Sequence, residues 1–236
     1  MIQALVITPV KDSLQNTIET IEAIKTSQIE IEYIIYNDFS SIETKTYLEN
    51  NAQKLSYKLI NLEDVTNTPS PNYKLVLQLA QKISLEKNIP LIIVESDVTV
   101  KPTTFFKMIQ FADKNKNCGL VGAITVDSLG KVNFPYLKFK DNPEDFIATK
   151  RSLSFCCTLL SIDFLKSYNF VNLDQTKDWY DTIISKKAIE MNFKNYVLME
   201  TPVIHKPHSS RPWKQLKYKN PLKYYWLKLI NRRDKI

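Results

Sequence analysis

In residues 90–102, PLIIVESDVTVKP, Glu95 and Asp97 stand one residue apart at the end of an apolar run. If the strand continues through them, alternation of side chains turns both carboxylates to one side. Two carboxylates aimed at one point repel each other unless a cation lies between them. Oxygen donors of this kind suit Mg²⁺ or Mn²⁺, commonly shared with substrate phosphates. The plainer reading is a helix-capping acid followed by a solvated acid at the start of a loop, and spacing alone leaves both open. His205 closes another apolar run, in VIHKPHSS, with His208 three residues on. No cysteine or carboxylate stands at zinc-finger spacing from this pair, which argues against a zinc site, and a histidine after a strand also reads as structural. Asp178 and Asp181, in DWYD, share the first turn of a helix. There either can act as a general base or serve the helix dipole.

Composition narrows the chemistry further. The chain has 236 residues, 44% hydrophobic and 24% charged, enough for one full core or one domain with an appendage. Only three glycines occur, so neither a P-loop nor a G-x-G-x-x-G fingerprint can be built. The three cysteines, Cys118, Cys156 and Cys157, have no C-x-x-C spacing and give neither a disulfide framework nor a zinc motif. Nothing near Cys156 or Cys157 in sequence lowers a thiol pKa, so both read as small packing residues. The net charge of +7 is uneven. Residues 206–236 hold ten of the 32 Lys/Arg and one of the 25 Asp/Glu, leaving 22 basic and 24 acidic residues in the rest. The chain opens directly into a strand-like run without a charged leader, and no apolar stretch approaches the ~20 residues of a membrane span. The expected location is the cytoplasm.

The elements that must position these residues follow from periodicity. Strands are expected at 3–10, 31–38, 55–61 and 90–98. Between them come helices capped by Asp12 or Ser13, by a Ser40/Glu43 capping box, and over 72–84, with a fourth from Pro102. Near-continuous apolar strands alternating with helices predict an α/β fold, a mostly parallel central sheet flanked by helices. Beyond residue 119 the rhythm changes. Strands are expected in VGAITVDSLGKV, SFCCTLLS and YVLME, helices near 161–168 and 178–192, and an irregular stretch at 133–150. The domain is expected to span 1–208, with a basic aromatic extension over 209–236.

Three of these elements carry a resemblance. VITPVKD ends the first strand near a proline, YNDFSS ends the second in an acidic-Ser motif, and VESDVTVKP carries a D-x-D-like motif followed by proline. In this order the chain resembles the GT-A-type glycosyltransferases, in particular the inverting family 2, and VGAITVDSLGKV, DWYD and ETPVIHK extend the likeness over most of its length. The resemblance implies a GT-A-like fold and transfer of a sugar from a nucleotide-sugar donor, a UDP-sugar foremost, to a glycan hydroxyl with inversion. It places Thr8, Pro9, Val10, Asn37, Asp38, Lys74, Glu95 and Ser96 around the nucleotide, with Asp38 on the base. Lys74 also reads as an ordinary solvated lysine. Asp97 and His205 become the metal ligands, for Mn²⁺ or Mg²⁺, the imidazole favouring Mn²⁺. Glu95, where relatives often have Asp, meets the ribose or reaches the metal through water. Asp178 becomes the base, with Asp181 as the alternative. The competing classes are an inactive nucleotide- or glycan-binding module of the same fold and, lower, a nucleotidyltransferase, whose glycine-rich first loop TPVKDSLQ lacks.

In the tail, Leu222, Tyr225, Trp226, Leu229 and Ile230 follow one helical face, with Lys223, Lys228 and Arg232 mostly off it. A basic aromatic helix suits an anionic membrane surface, and equally a helix packed back on its domain. The expected setting is the inner face of the plasma membrane, with a glycan or lipid-linked glycan as acceptor. The acidic body and the lack of a nucleic-acid-binding signature argue against nucleic acid.

Overall fold

The computed structural model describes residues 1–175, 179–206 and 220–230, without the side chains of 227–230. The chain forms two compact units, Met1–Lys206 and Pro207–Ile236. In the first, β1 (Ala4–Val10), α1 (Leu14–Lys25), β2 (Ile31–Asn37), α2 (Ile42–Asn51), β3 (Lys58–Asn61), α3 (Tyr73–Lys87) and β4 (Leu91–Val94) alternate. A two-residue strand β5 (Val98–Thr99), α4 (Thr104–Lys114) and β6 (Cys118–Val126) follow. Then come β7 (Phe146–Thr149), β8 (Cys157–Leu160), α5 (Ile162–Ser167), α6 (Tyr180–Glu190) and β9 (Lys194–His205). The second unit contains α7 (Pro221–Ile230), on which Leu222, Tyr225 and Trp226 are exposed. Among the described residues no helix is long and apolar enough to cross a membrane.

The strands form one mixed sheet in the order β3-β2-β1-β4-β8-β6-β9-β5, with β7 also paired to β9. Pairing is parallel from β3 to β4 and between β6 and β9, and antiparallel where β8, β5 and β7 join. Period-two alternation divides β1 between two cores. Ala4 and Val6 face Ile21 and Ile24 of α1 and Phe105 and Met108 of α4. Leu5 and Ile7 face Leu77 and Ala80 of α3, Phe164 of α5 and Ile184 of α6. Helices on both faces bury the sheet, as the apolar strand runs require.

Several local expectations shift. Ser13 precedes α1 in a left-handed conformation and makes no side-chain cap, while Asp12 Oδ1 accepts from Ser41 N at 2.7 Å. The capping box centred on Ser40 is not formed. Ser41 caps α2 through Thr44 N, because the Ser40 hydroxyl is taken by Asp12 N at 3.0 Å. The irregular stretch contains β7, and the short strand expected at YVLME is the twelve-residue β9. Both misses have one cause, since β7 is stabilised by β9, and β9 by β7 and β6, across separations no local pattern reports.

Candidate functional site

Val10, Asn37 and Val94 end neighbouring strands, so the expected carboxylates gather at the carboxyl edge of the parallel half-sheet, where open α/β sheets bind ligands. The strand run expected through Glu95–Asp97 is interrupted. β4 stops at Val94, and a turn closed by Val98 N donating to Glu95 O at 3.2 Å leads into β5. Alternation along a strand is therefore not what aims the two acids. Two antiparallel pairings do so instead.

The β4–β8 ladder sets Val94 opposite Cys157 and continues one step, with Glu95 N donating to Cys156 O at 2.9 Å. Glu95 thereby lies beside Cys156, whose Sγ donates to Glu95 Oε2 at 3.5 Å. The β5–β9 ladder sets Val98 opposite His205, and Lys206 N donates to Asp97 O at 2.9 Å. His205 Nε2 accordingly lies 3.6 Å from Asp97 Oδ2 and 3.7 Å from Cys156 Sγ. Asp97 and His205 are both buried, while Glu95 is half-buried.

The orientation of His205 is fixed from behind. Its Nδ1 lies 2.8 Å from the Phe134 carbonyl, and Asn133 Nδ2 donates to the His205 carbonyl at 2.9 Å. A carbonyl only accepts, so Nδ1 carries the hydrogen and the neutral ring turns the Nε2 lone pair toward Asp97, Glu95 and Cys156. The Thr125 hydroxyl on β6 contacts the Asn133 and Phe134 carbonyls at 3.3 Å each and holds that segment. Burial disfavours the imidazolium, but Asp97 beside Nε2 and the Phe134 carbonyl outweigh it and raise the pKa of His205 above 6.5. Burial, then the neighbouring Glu95, pushes the Cys156 thiol well above its usual range. A lone pair, the Glu95 carboxylate and a thiol gathered at one place, with Asp97 beside the imidazole, fit a divalent cation. The Asp97–His205 separation exceeds a hydrogen bond and suits two donors on one ion.

The residues that end β1 and β2 are more tightly tied. Asp38 is buried, and its carboxylate accepts from Ser70 Oγ, Asn72 N and Asn72 Nδ2, each at 2.8 Å, which fastens the segment before α3. Asn37 Nδ2 donates to Asn61 Oδ1 at 2.8 Å, and Lys74 Nζ donates to the Leu173 carbonyl. Thr8 is fully buried and accepts from the Tyr33 hydroxyl at 3.0 Å; Pro9 and Val10 follow it at the strand end, and Ser96 is buried in the turn. Asp181 lies at the start of α6, its Oδ1 accepting from Thr182 N at 2.8 Å. Asp178 and His208 lie outside the described residues. A stack of Tyr180, Tyr73 and Phe155, with centroids 6.4 and 6.5 Å apart, joins the start of α6 to the start of α3 and to the segment carrying Cys156.

A glycine shapes that segment. Tyr136 accepts from Ser154 N at 3.1 Å through its buried hydroxyl, and a Cβ on Gly122 would stand 2.7 Å from that oxygen. Gly122→Ala is expected to lower the unfolding free energy by about 1–3 kcal/mol. Urea denaturation of Gly122→Ala with and without Tyr136→Phe checks the cause. Removing the clashing oxygen should recover part of the loss, giving a non-additive double-mutant cycle.

Cys156 lies in the buried core and also touches both Glu95 and His205, a contact that sequence spacing does not report. Among the described residues, Glu95, Cys156 and His205 form a group whose donor atoms all lie within 4.8 Å of one another.

Comparison with known proteins follows the same direction. Residues 5–167 match the sequence model of "Glycosyl transferase family 2". The structure resembles TarS 1–349 from S. aureus (TM-score 0.66, 17% identity, 92% of this chain and 63% of that one), which is also known as a complex with UDP. It resembles the mannosyltransferase PcManGT from Pyrobaculum calidifontis in complex with GDP-Man and Mn²⁺ (TM-score 0.64, 11% identity, 97% and 64%). It also resembles GalNAc-T7 with UDP, GalNAc and Mn²⁺ (TM-score 0.62, 10% identity, 87% and 44%). The chain thus spans less than two thirds of each of these proteins. No curated protein sequence matches it significantly.

Proposed function

The chain belongs to glycosyl transferase family 2, and from that premise we propose that it transfers a sugar, with inversion, from a nucleotide-sugar donor, a UDP-sugar foremost, to a glycan hydroxyl. The observation that carries this reading is the cluster of Glu95, Cys156 and His205 donor atoms at the carboxyl edge of the sheet, with Asp97 beside the imidazole and the Nε2 lone pair turned inward by Phe134. UDP in one structural neighbour, and nucleotide sugar or its products with Mn²⁺ in others, support the same assignment.

In this reading Asp97 and His205 hold Mn²⁺ or Mg²⁺, with Glu95 reaching the ion or the ribose. Once bound, the ion supplies positive charge against the departing diphosphate. Thr8, Pro9, Val10, Asn37 and Ser96 line the nucleotide pocket. Asp38 receives the N–H edge of a uracil-like base once the Ser70 and Asn72 contacts adjust, and Lys74 faces base or phosphate. A carboxylate at the start of α6, Asp178 with Asp181 as the alternative, takes the acceptor proton as that oxygen attacks the anomeric carbon from the face opposite the diphosphate. The domain is assigned to 1–208. The basic aromatic extension 209–236 lies on an anionic membrane surface, placing the enzyme at the inner face of the membrane near a lipid-linked glycan acceptor.

Isothermal titration of UDP, with Mn²⁺ and with EDTA, tests the proposal. Metal-dependent binding is the expected result, followed by hydrolysis of one UDP-sugar from a donor panel. GDP and dTDP are titrated in parallel. Absence of metal-dependent binding for all three, with folded protein, removes the transferase reading.

A further inference from the structure

We propose that Cys156 converts this centre into a site for a thiophilic divalent cation of the Zn²⁺ or Cd²⁺ class, held by Cys156 Sγ, His205 Nε2 and Glu95 Oε2. No motif announces it, since the three donors come from the β4–β5 turn, the entrance to β8 and the end of β9. Geometry does. A tetrahedral ion with bonds of about 2.0–2.3 Å holds its ligand atoms roughly 3.3–3.8 Å apart. Cys156 Sγ stands 3.5 Å from Glu95 Oε2 and 3.7 Å from His205 Nε2, and the three residues offer donor atoms that all lie within 4.8 Å of one another. These are separations of donors around one ion, and they exist before any ion enters.

The contacts that hold these ligands in place are present as well. Phe134 O fixes the imidazole tautomer at 2.8 Å, and Ser154 Oγ lies 3.2 Å from Cys156 Sγ. Cys156 is 1% exposed, so the thiol meets no competing solvent. Mn²⁺ and Mg²⁺ prefer the oxygen and imidazole donors and leave the thiol protonated. A thiophilic cation instead displaces the thiol proton, which passes to buffer, and forms a metal–sulfur bond. The consequence is competition. A trace of Zn²⁺ occupies the centre through Cys156 and excludes Mn²⁺, so the protein discriminates between cations by a cysteine set against its metal ligands. The cation site follows from the donor geometry alone, whereas the inhibitory consequence rests on the transferase reading.

Titration of the whole chain with Cd²⁺, followed by the thiolate-to-metal absorption band, tests the site. The expected result is a band that saturates at one equivalent, vanishes in Cys156→Ser and persists in Cys157→Ser and Cys118→Ser. Cadmium affinity measured by competition should also fall about 10–100-fold in His205→Asn, which keeps all three cysteines and guards against misfolding of a single variant. A band that is absent, or that survives Cys156→Ser in folded protein, overturns the proposal. The two readings fail separately. A Cys156-dependent cadmium band without metal-dependent binding of UDP, GDP or dTDP removes the transferase reading and leaves the cation site standing. Manganese-dependent UDP binding without the cadmium band does the reverse, and Zn²⁺ should suppress UDP binding in wild type more than in Cys156→Ser.

Discussion

Asp97→Ala is expected to abolish Mn²⁺-dependent binding of UDP in calorimetry and to lower transfer by roughly 10²–10³-fold, the loss typical of removing one preorganised stabiliser of developing charge. Asp97 is buried and is held in place by its own backbone, through Lys206 N, so its removal leaves the β5–β9 ladder intact. His205 reports the same event independently of turnover. Burial alone lowers an imidazole pKa, and that of His205 is raised above 6.5 because Asp97, with the Phe134 carbonyl and Glu95, outweighs burial. In metal-free Asp97→Ala the His205 titration should therefore move down, as followed by NMR of the ring protons. The stability consequence has a definite sign. A raised folded-state pKa contributes stability that is complete below the unfolded value, and this stability fades as pH rises through the folded value. The mutant should thus lose most stability relative to wild type in mild acid and least in mild alkali. An unchanged His205 titration, or UDP binding that keeps its metal dependence, would remove Asp97 from the centre.

How far the sequence reaches differs between the fold and the site. β1, β2 and β4, with the helices between them, are legible because each strand is an apolar run and each helix has a periodic face. The edge where Asn37, Asp38, Glu95 and Asp97 gather follows from that order alone. The aim of the acids does not. Alternation along one strand gives a correct neighbourhood for a wrong reason, since Glu95 and Asp97 lie in a turn and are placed by two different antiparallel partners. Cys156 is the clearest case. It lies 61 residues from Glu95 and 49 from His205, so a search for metal-ligand spacing passes over it. The only local signal was that SFCCTLLS forms a strand. That strand's register against β4, which decides the neighbour of Glu95, is settled by long-range packing. Asp38 shows the converse. It follows the end of β2 as the strand pattern expects, but its three hydrogen bonds to Ser70 and Asn72 belong to a loop whose path no motif encodes.

The base is the remaining assignment, and substitution separates its two candidates. Asp178→Asn is expected to lower kcat by roughly 10²–10⁴-fold, the range for loss of general-base assistance, while UDP–Mn²⁺ affinity stays at its wild-type value. Asp181→Asn should behave differently. Asp181 Oδ1 accepts from Thr182 N, and its carbonyl accepts from the Ser185 hydroxyl at 2.7 Å, so this residue is built into the first turn of α6. Ser185 in turn accepts from Leu153 N at 3.0 Å, on the segment that leads to Cys156. Exchanging the Asp181 carboxylate for an amide removes charge at a helix N-terminus, worth about 0.3–1 kcal/mol, and perturbs stability more than the chemical step. Two readings of each variant decide the matter. One is kcat at saturating donor and acceptor, and the other is rescue of slow variants by a small external anion such as formate or azide used as a substitute base. A kcat collapse confined to Asp178→Asn assigns it the proton. The same collapse in Asp181→Asn alone, with stability near wild type, transfers the role to α6 itself. Full turnover in both variants would mean that neither carboxylate takes the proton, and an acceptor-side group would have to be sought instead.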